Sequence, residues 1–228
     1  MNSAPAAETI PPPVLKALQA YSAQFEGIVA FDRRYASRIK YPGHDEQRQV
    51  ESSRVRDGNK IVAVKLHRMT INRNASSAAD IAKEQAIAEK ALPYEGAQEF
   101  PLDGLLAGTR YGSSLPCPCG HDILIFPFHA RIKDENHANG TLYVDVANGR
   151  LVKAEFTPAV LPKPATGGVT TILFGSAGAG LWDILQIDEH FSGKELFLKG
   201  TFEATIVHDH YRRRASLDEA KKMILAQH

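Results

Sequence analysis

Three places in the sequence carry residues that could do chemistry. Cys117-Pro118-Cys119-Gly120-His121 sets two thiols and an imidazole within five residues. These are ligands for Zn or Cu, but a closed structural zinc site takes four, and no second pair lies at suitable spacing. The simplest expectation is free thiols in a loop, with a bridge between residues two apart as the second reading and a metal site as the third. His208-Asp209-His210-Tyr211 is the second place. On a regular strand His208 and His210 point to one face, as two metal ligands or an acid–base pair would require. No third ligand accompanies them, so the plain reading is a polar strand end running into Arg212, Arg213 and Arg214.

The third place is Gly175–Gly180, GSAGAG. It resembles a glycine-rich phosphate cradle but lacks the Lys-Ser/Thr ending of a P-loop, so it reads as a flexible connection. G-x-S-x-G and H-E-x-x-H are absent, which removes the common hydrolase and metalloprotease signatures. Asn74-Ala75-Ser76 and Asn139-Gly140-Thr141 match the N-glycosylation pattern and are read as turns. No catalytic residue, cofactor or metal is called for.

The elements that must position these residues follow from periodicity. Pro11–Pro13 suit a helix start, and Val14, Leu18, Tyr21 and Phe25 recur at helical spacing. From Ile28 the period becomes two, giving a long strand Val29–Tyr41 with one buried face. Extended runs follow over Gln47–Arg56 and Lys60–Ile71, with a turn at Asp57-Gly58-Asn59. Ser77 to Leu92 reads as a helix opened by a Ser77/Asp80 capping box and stopped by Pro93. Tyr94–Gly120 is irregular, with a short helix around Leu102–Ala107. Strands resume over Ile123–Ile132, Thr141–Ala147 and Arg150–Thr157, the last two joined by Asn148-Gly149, a pair that suits a turn with both residues at positive φ. After a loop over Pro158–Gly168 come strands Val169–Phe174, Leu181–Ile187 and Leu196–Tyr211. Ser216 with Glu219 caps a last helix from Leu217 to about Ala226.

With 43% apolar and 23% charged residues, the composition is that of a globular chain and excludes a disordered or collagen-like one. No apolar run approaches the roughly 20 residues of a membrane helix. A net charge of +1 gives no field to draw the molecule to nucleic acid. Charge is locally uneven, since eleven Lys and Arg stand against five Asp and Glu between Phe31 and Ala75. A solvated sheet face is the plain reading of that surplus, and an anion-binding surface the alternative. The aromatic and branched residues Ile172, Leu173, Phe174, Leu181, Trp182, Ile184 and Ile187 read as core before cavity. The small, Ala- and Pro-rich start, residues 1–12, reads as a lead-in of the kind left after signal-peptide removal, followed by one β-rich domain over residues 13–228.

This order of elements resembles the lipoprotein-carrier fold of the LolA/LolB and RseB type. The features that carry the resemblance are the helix Val14–Phe25, the long strand Val29–Tyr41, the insert Ser77–Leu92 and the hairpin GTLYVDVANGRLVKAEFTP over Gly140–Pro158. It implies a mainly β fold with short α-helices: a curved antiparallel sheet, an unclosed half-barrel whose concave side the helices cover. The function implied is an exported, periplasmic or secreted, binding protein holding a hydrophobic small molecule, an acyl chain or a lipid-bearing partner on that side. Phe31, Tyr35, Ile172, Phe174, Trp182 and Ile184 are the expected ligand-binding residues. Two alternatives stand beside it. One is a protein-interaction or scaffold module using the basic face from Arg33 to Arg73. The other is a small-molecule enzyme on the same fold, with His208, Asp209 and His210 in its cleft.

Overall fold

Alternating apolar and polar residues form strands here because each strand has one face turned to helices and one to solvent. In the computed structural model, which describes residues 9–92, 99–134, 136–161, 163–195 and 198–226, all twelve strands join one sheet. β1 (Ile28–Tyr41), β2 (His44–Asp57) and β3 (Lys60–Ile71) form an antiparallel meander, with β4 (Asn74–Ala75) at its outer edge. Pro42-Gly43 and Gly58-Asn59 turn the chain between the long strands, and both glycines take positive φ.

A second meander comprises β5 (Thr109–Tyr111), β6 (Leu115–Pro116), β7 (Ile123–Ala130), β8 (Ala138–Asp145), β9 (Arg150–Pro158), β10 (Ala165–Gly178), β11 (Leu181–Glu195) and β12 (Leu198–Arg214). The strand order is β4-β3-β2-β1-β12-β11-β10-β9-β8-β7-β5, with β6 also on β7. The first long strand thus pairs with the last, from Ile28↔Arg214 to Lys40↔Thr201. The sheet does not close on itself, so the architecture is the unclosed antiparallel half-barrel with short helices that the resemblance implies.

Three helices lie on the inner face. α1 (Pro12–Ser22), continued by a 3-10 turn Ala23–Phe25, buries Val14, Ala17, Leu18 and Tyr21, a stripe spaced three and four residues apart. Burying Leu18 alone contributes about 1.5–3 kcal/mol. α2 (Ala78–Ala91) starts at a full capping box, in which Ser77 Oγ accepts from Asp80 N–H and the Asp80 carboxylate accepts from Ser77 N–H, both at 3.2 Å. α3 (Leu102–Leu106) buries Leu102 and Leu105. α4 (Leu217–Leu225), capped by Ser216, lies on the outer face, where Ala220 and Ile224 pack on Ala30 and Val55.

Three local expectations give way. GSAGAG is not a flexible connection: β10 runs through Gly178, and Ala179 and Gly180 form the turn with φ of +50° and +72°. The Val146–Gly149 turn spans four residues rather than two. Asp145 accepts from Asn148 N–H at 3.0 Å and Gly149 alone of the turn takes positive φ, where a side chain would also run into Lys16. Asn139 lies in β8 rather than in a turn, with its Oδ1 accepting from Ala130 N–H. Residues 1–8 of the lead-in and residues 94–98 of the irregular stretch lie outside the described residues.

Candidate functional site

Because side chains alternate along a strand, the odd residues of β1 point to the inner face from Phe31 to Tyr41. Pairing carries that face across the sheet. Tyr35 sits beside Ile206, then Ile187, Ile172 and Ala154. The inner face divides into two parts. Over β7–β10 it is filled: Leu142, Val144, Leu151, Ala154 and Ile172 pack against α1, and Phe100 sits edge-on to Tyr21 and Phe174 with centroids 5.5 and 5.3 Å away.

Over β1–β3 and the end of β12, by contrast, α2 roofs a hollow of about 430 Å³. None of the α2 residues is buried. The helix is held by polar contacts to the edge strand: Gln85 Nε2 donates to Val64 O, and Gln85 Oε1 accepts from Leu66 N–H, both at 2.8 Å. The amide thereby occupies backbone positions that a neighbouring strand would use.

The walls of the hollow are not uniformly apolar. Phe31, Tyr35, Val50, Ile61 and Leu66 alternate with Arg33, Arg48, Arg54 and Arg56, faced by Glu84, Glu99 and Asp183. The basic surplus near the N-terminus is therefore not one solvated face. Arg33, Arg48 and Arg54 turn inward, whereas Arg34 pairs outward with Asp209 at 2.7 Å and Arg38 with Asp45. At the base of the hollow Arg56 Nη2 lies 2.8 Å from Asp183 Oδ2, and the guanidinium sits 4.7 Å from the centre of the Phe25 ring. With side chains 5% and 2% exposed, this pair is a buried ion pair. Beside it burial, reinforced by the Asp183 charge, holds the Tyr21 and Tyr211 hydroxyls well above the ordinary phenol range. Arg48 reaches Glu84 of α2 at 2.6 Å, a link from the floor of the hollow to its roof.

Beyond the hollow, along the same inner face, lies an apolar groove of about 820 Å³ lined by Ile39, Phe156, Phe191 and Phe202 among others. Glu99 lines both. Glu189, also in the groove, has its carboxyl raised from the ordinary value by burial first and by the Glu99 charge second.

Of the six residues expected to bind ligand, Phe31, Tyr35 and Ile184 line the hollow. Ile172 and Phe174 are buried in the filled half, and Trp182 packs against that core while donating from Nε1 to Leu151 O at 2.7 Å. The charged wall residues Arg33, Arg54, Glu99 and Asp183 were not singled out as site residues. The local basic surplus signals Arg33 and Arg54 alone, and nothing in the sequence marks Glu99 or Asp183.

His208 and His210 do not share a face. β12 carries one extra residue where Ala30↔Arg212 gives way to Asp32↔Asp209, and His210 adopts φ +52° there. That bulge leaves His208 and Tyr211 buried inside and puts His210 outside, its side chain 65% exposed. The cleft with His208, Asp209 and His210 together does not exist. Outside, His210 Nδ1 lies 3.2 Å from Asp32 and 3.0 Å from Asp209, a grouping whose geometry could admit a cation. Arg34 and Arg212 already neutralise those carboxylates, at 2.7 and 3.8 Å. Inside, burial holds the His208 imidazole below its ordinary value, against the opposing pull of Glu99. Cys117 and Cys119 are joined by a disulfide, so the free-thiol reading gives way to the bridge.

No protein-family profile and no curated protein matches the chain. Among solved structures it is similar to a domain described as an outer membrane lipoprotein-sorting protein from Vibrio parahaemolyticus, with 12% identity over 94% of this chain and 100% of that one, at a TM-score of 0.39. It is also similar to a chain of the Pseudomonas aeruginosa MucA/MucB complex, with 9% identity over 90% of this chain and 100% of that one, at 0.28. Likeness at this level carries no argument about ligand or partner.

Proposed function

We propose that this chain is an exported binding protein that holds an apolar ligand, or the acyl part of a lipid-bearing partner, on the concave side of its sheet. The observation that carries this reading is the unequal filling of the inner face. One half is packed solid by α1 and α3, and the other keeps a hollow beside an apolar groove, under a helix with no buried residue. A roof held by a few polar contacts opens at little cost, and opening exposes apolar surface that a ligand would cover. The Cys117–Cys119 bridge supports an oxidising compartment.

The test is titration of the delipidated protein with an environment-sensitive fluorescent fatty acid, beside a variant with Ala88→Trp, which places an indole in the hollow from α2. Saturable binding that weakens at least about tenfold in the variant, at unchanged melting temperature, is the expected result. Absence of binding by the unaltered protein ends the proposal.

A further inference from the structure

The arginines of the hollow are not equally satisfied. Arg56 has Asp183 at 2.8 Å and Arg48 has Glu84 at 2.6 Å, both within reach of charge-assisted hydrogen bonds. Arg33 differs. Its side chain is 16% exposed, its guanidinium lies 5.2 Å from the centre of the Tyr35 ring, and its nearest carboxylate among the described residues is Glu99, with Oε1 3.5 Å from Nε. That nitrogen, like the Nε of Arg48 and Arg56, has no hydrogen-bond partner among the described residues, but Arg33 has no close pair such as theirs to offset it. His208 repeats the pattern on the other side. It is 6% exposed, its Nε2 lies 3.3 Å from Glu99 Oε2, and that nitrogen also lacks a hydrogen-bond partner among the described residues. One carboxylate thus stands between two buried donors and properly engages neither. Its residue, Glu99, sits where the hollow meets the apolar groove, with its side chain 28% exposed.

A buried guanidinium nitrogen left without a hydrogen-bond partner is costly, and an oxyanion placed between it and a neutral imidazole N–H removes that cost. We infer that Arg33 and His208 form a head-group site for an oxyanion carried on a single apolar tail, a carboxylate or a phosphate monoester, and that Glu99 occupies that site as an internal stand-in when no ligand is bound. The tail follows the inner face of β1 from Arg33 past Tyr35 toward Ile39, which lies six residues on and roughly 20 Å away, farther than a twelve-carbon chain spans in full. There Phe191 and Phe202 line the groove. Two anions cannot share one arginine without repulsion, so Glu99 must leave as the ligand arrives. This inference rests on the reading that the concave side binds an apolar ligand and supplies its polar end.

The experiment measures binding of dodecanoate, dodecyl phosphate, dodecanol and inorganic phosphate by calorimetry to the full chain, its Arg33→Gln variant and its Glu99→Gln variant. The two charged amphiphiles are expected to bind at least about tenfold more tightly than dodecanol. Arg33→Gln should erase that preference with little change in dodecanol binding, and Glu99→Gln should widen it by removing the competing anion. Should Arg33→Gln fail to fold, the Glu99→Gln variant still decides, since it removes no cation. Equal affinities for all three amphiphiles, or a preference that neither variant alters, overturns the head-group site while leaving the concave-side reading standing. Inorganic phosphate binding as tightly as dodecyl phosphate overturns the tailed-ligand assignment. Failure of all three amphiphiles to bind removes both the head-group site and the reading beneath it.

Discussion

The two halves of the inner face are built by one rule and reach opposite ends. Over β7–β10 the inward positions are aliphatic or aromatic, and α1 offers a matching stripe, so helix and sheet interlock without remainder. Over β1–β3 the inward positions alternate between apolar groups and arginines, and α2 offers Ala88, Ala91 and Ile87 with charges at Glu84. Long charged side chains cannot be packed tightly by a helix without burying their charges unpaired, so the roof stands off and a hollow remains. A solid half that fixes the fold and a polar-walled half that leaves room are therefore consequences of which residues point inward.

That contrast fails if the solid half tolerates truncation. Phe100→Ala removes a ring with 1% exposure and should cost about 3–5 kcal/mol in denaturant unfolding. A loss below about 1 kcal/mol would mean the packing there is loose. The ion pair at the base of the hollow is the next lever. Asp183→Asn should also cost about 3–5 kcal/mol, because it strands Arg56, whereas Arg56→Met combined with Asp183→Leu should recover much of that loss. A double variant as unstable as the single one would show that the pair's geometry, and not its burial, matters.

Smaller effects separate the roof from the floor. Gln85→Ala removes two contacts to β3 and should speed amide exchange in α2 while moving global stability by about 1 kcal/mol or less. Slow exchange retained in α2 would contradict a lightly held roof. The mildest expectation concerns pH. His208 has a native pKa below its unfolded value near 6.5, so the unfolded chain binds the proton first. Stability conferred by the neutral imidazole is complete above pH 6.5 and falls as pH drops toward the lower native value. His67, partly buried on β3, acts in the same direction. His208→Gln should leave a shallower acid slope in thermal melts, and an unchanged slope would place the titration elsewhere.

Much of this architecture could be read from residue order. The strands of the first meander, both Ser-initiated helix caps and the helix over residues 78–91 follow from period and capping chemistry that are local to the sequence. The bulge at His210 was not read, although its trace is there. Inward residues are even from Phe202 to His208 and odd at Tyr211, so the apolar phase slips by one. What separates hollow from core leaves a fainter mark. Glu-Ser-Ser-Arg-Val-Arg in β2 has no clear alternation, and whether Arg54 faces water or Asp183's cavity depends on β1 and α2 together. Glu99 escapes local reading altogether, because its partners Arg33 and His208 are distant in sequence and meet only through the β1–β12 pairing.

Hydrogen exchange of the delipidated protein with and without saturating dodecanoate compares the two halves in one experiment. Slowed exchange confined to α2, β1–β3 and the end of β12, with α1, β8 and β9 unchanged, is what an open pocket beside a closed core requires. Slowing centred on α1 and β8–β9, or none anywhere at saturation, would contradict it.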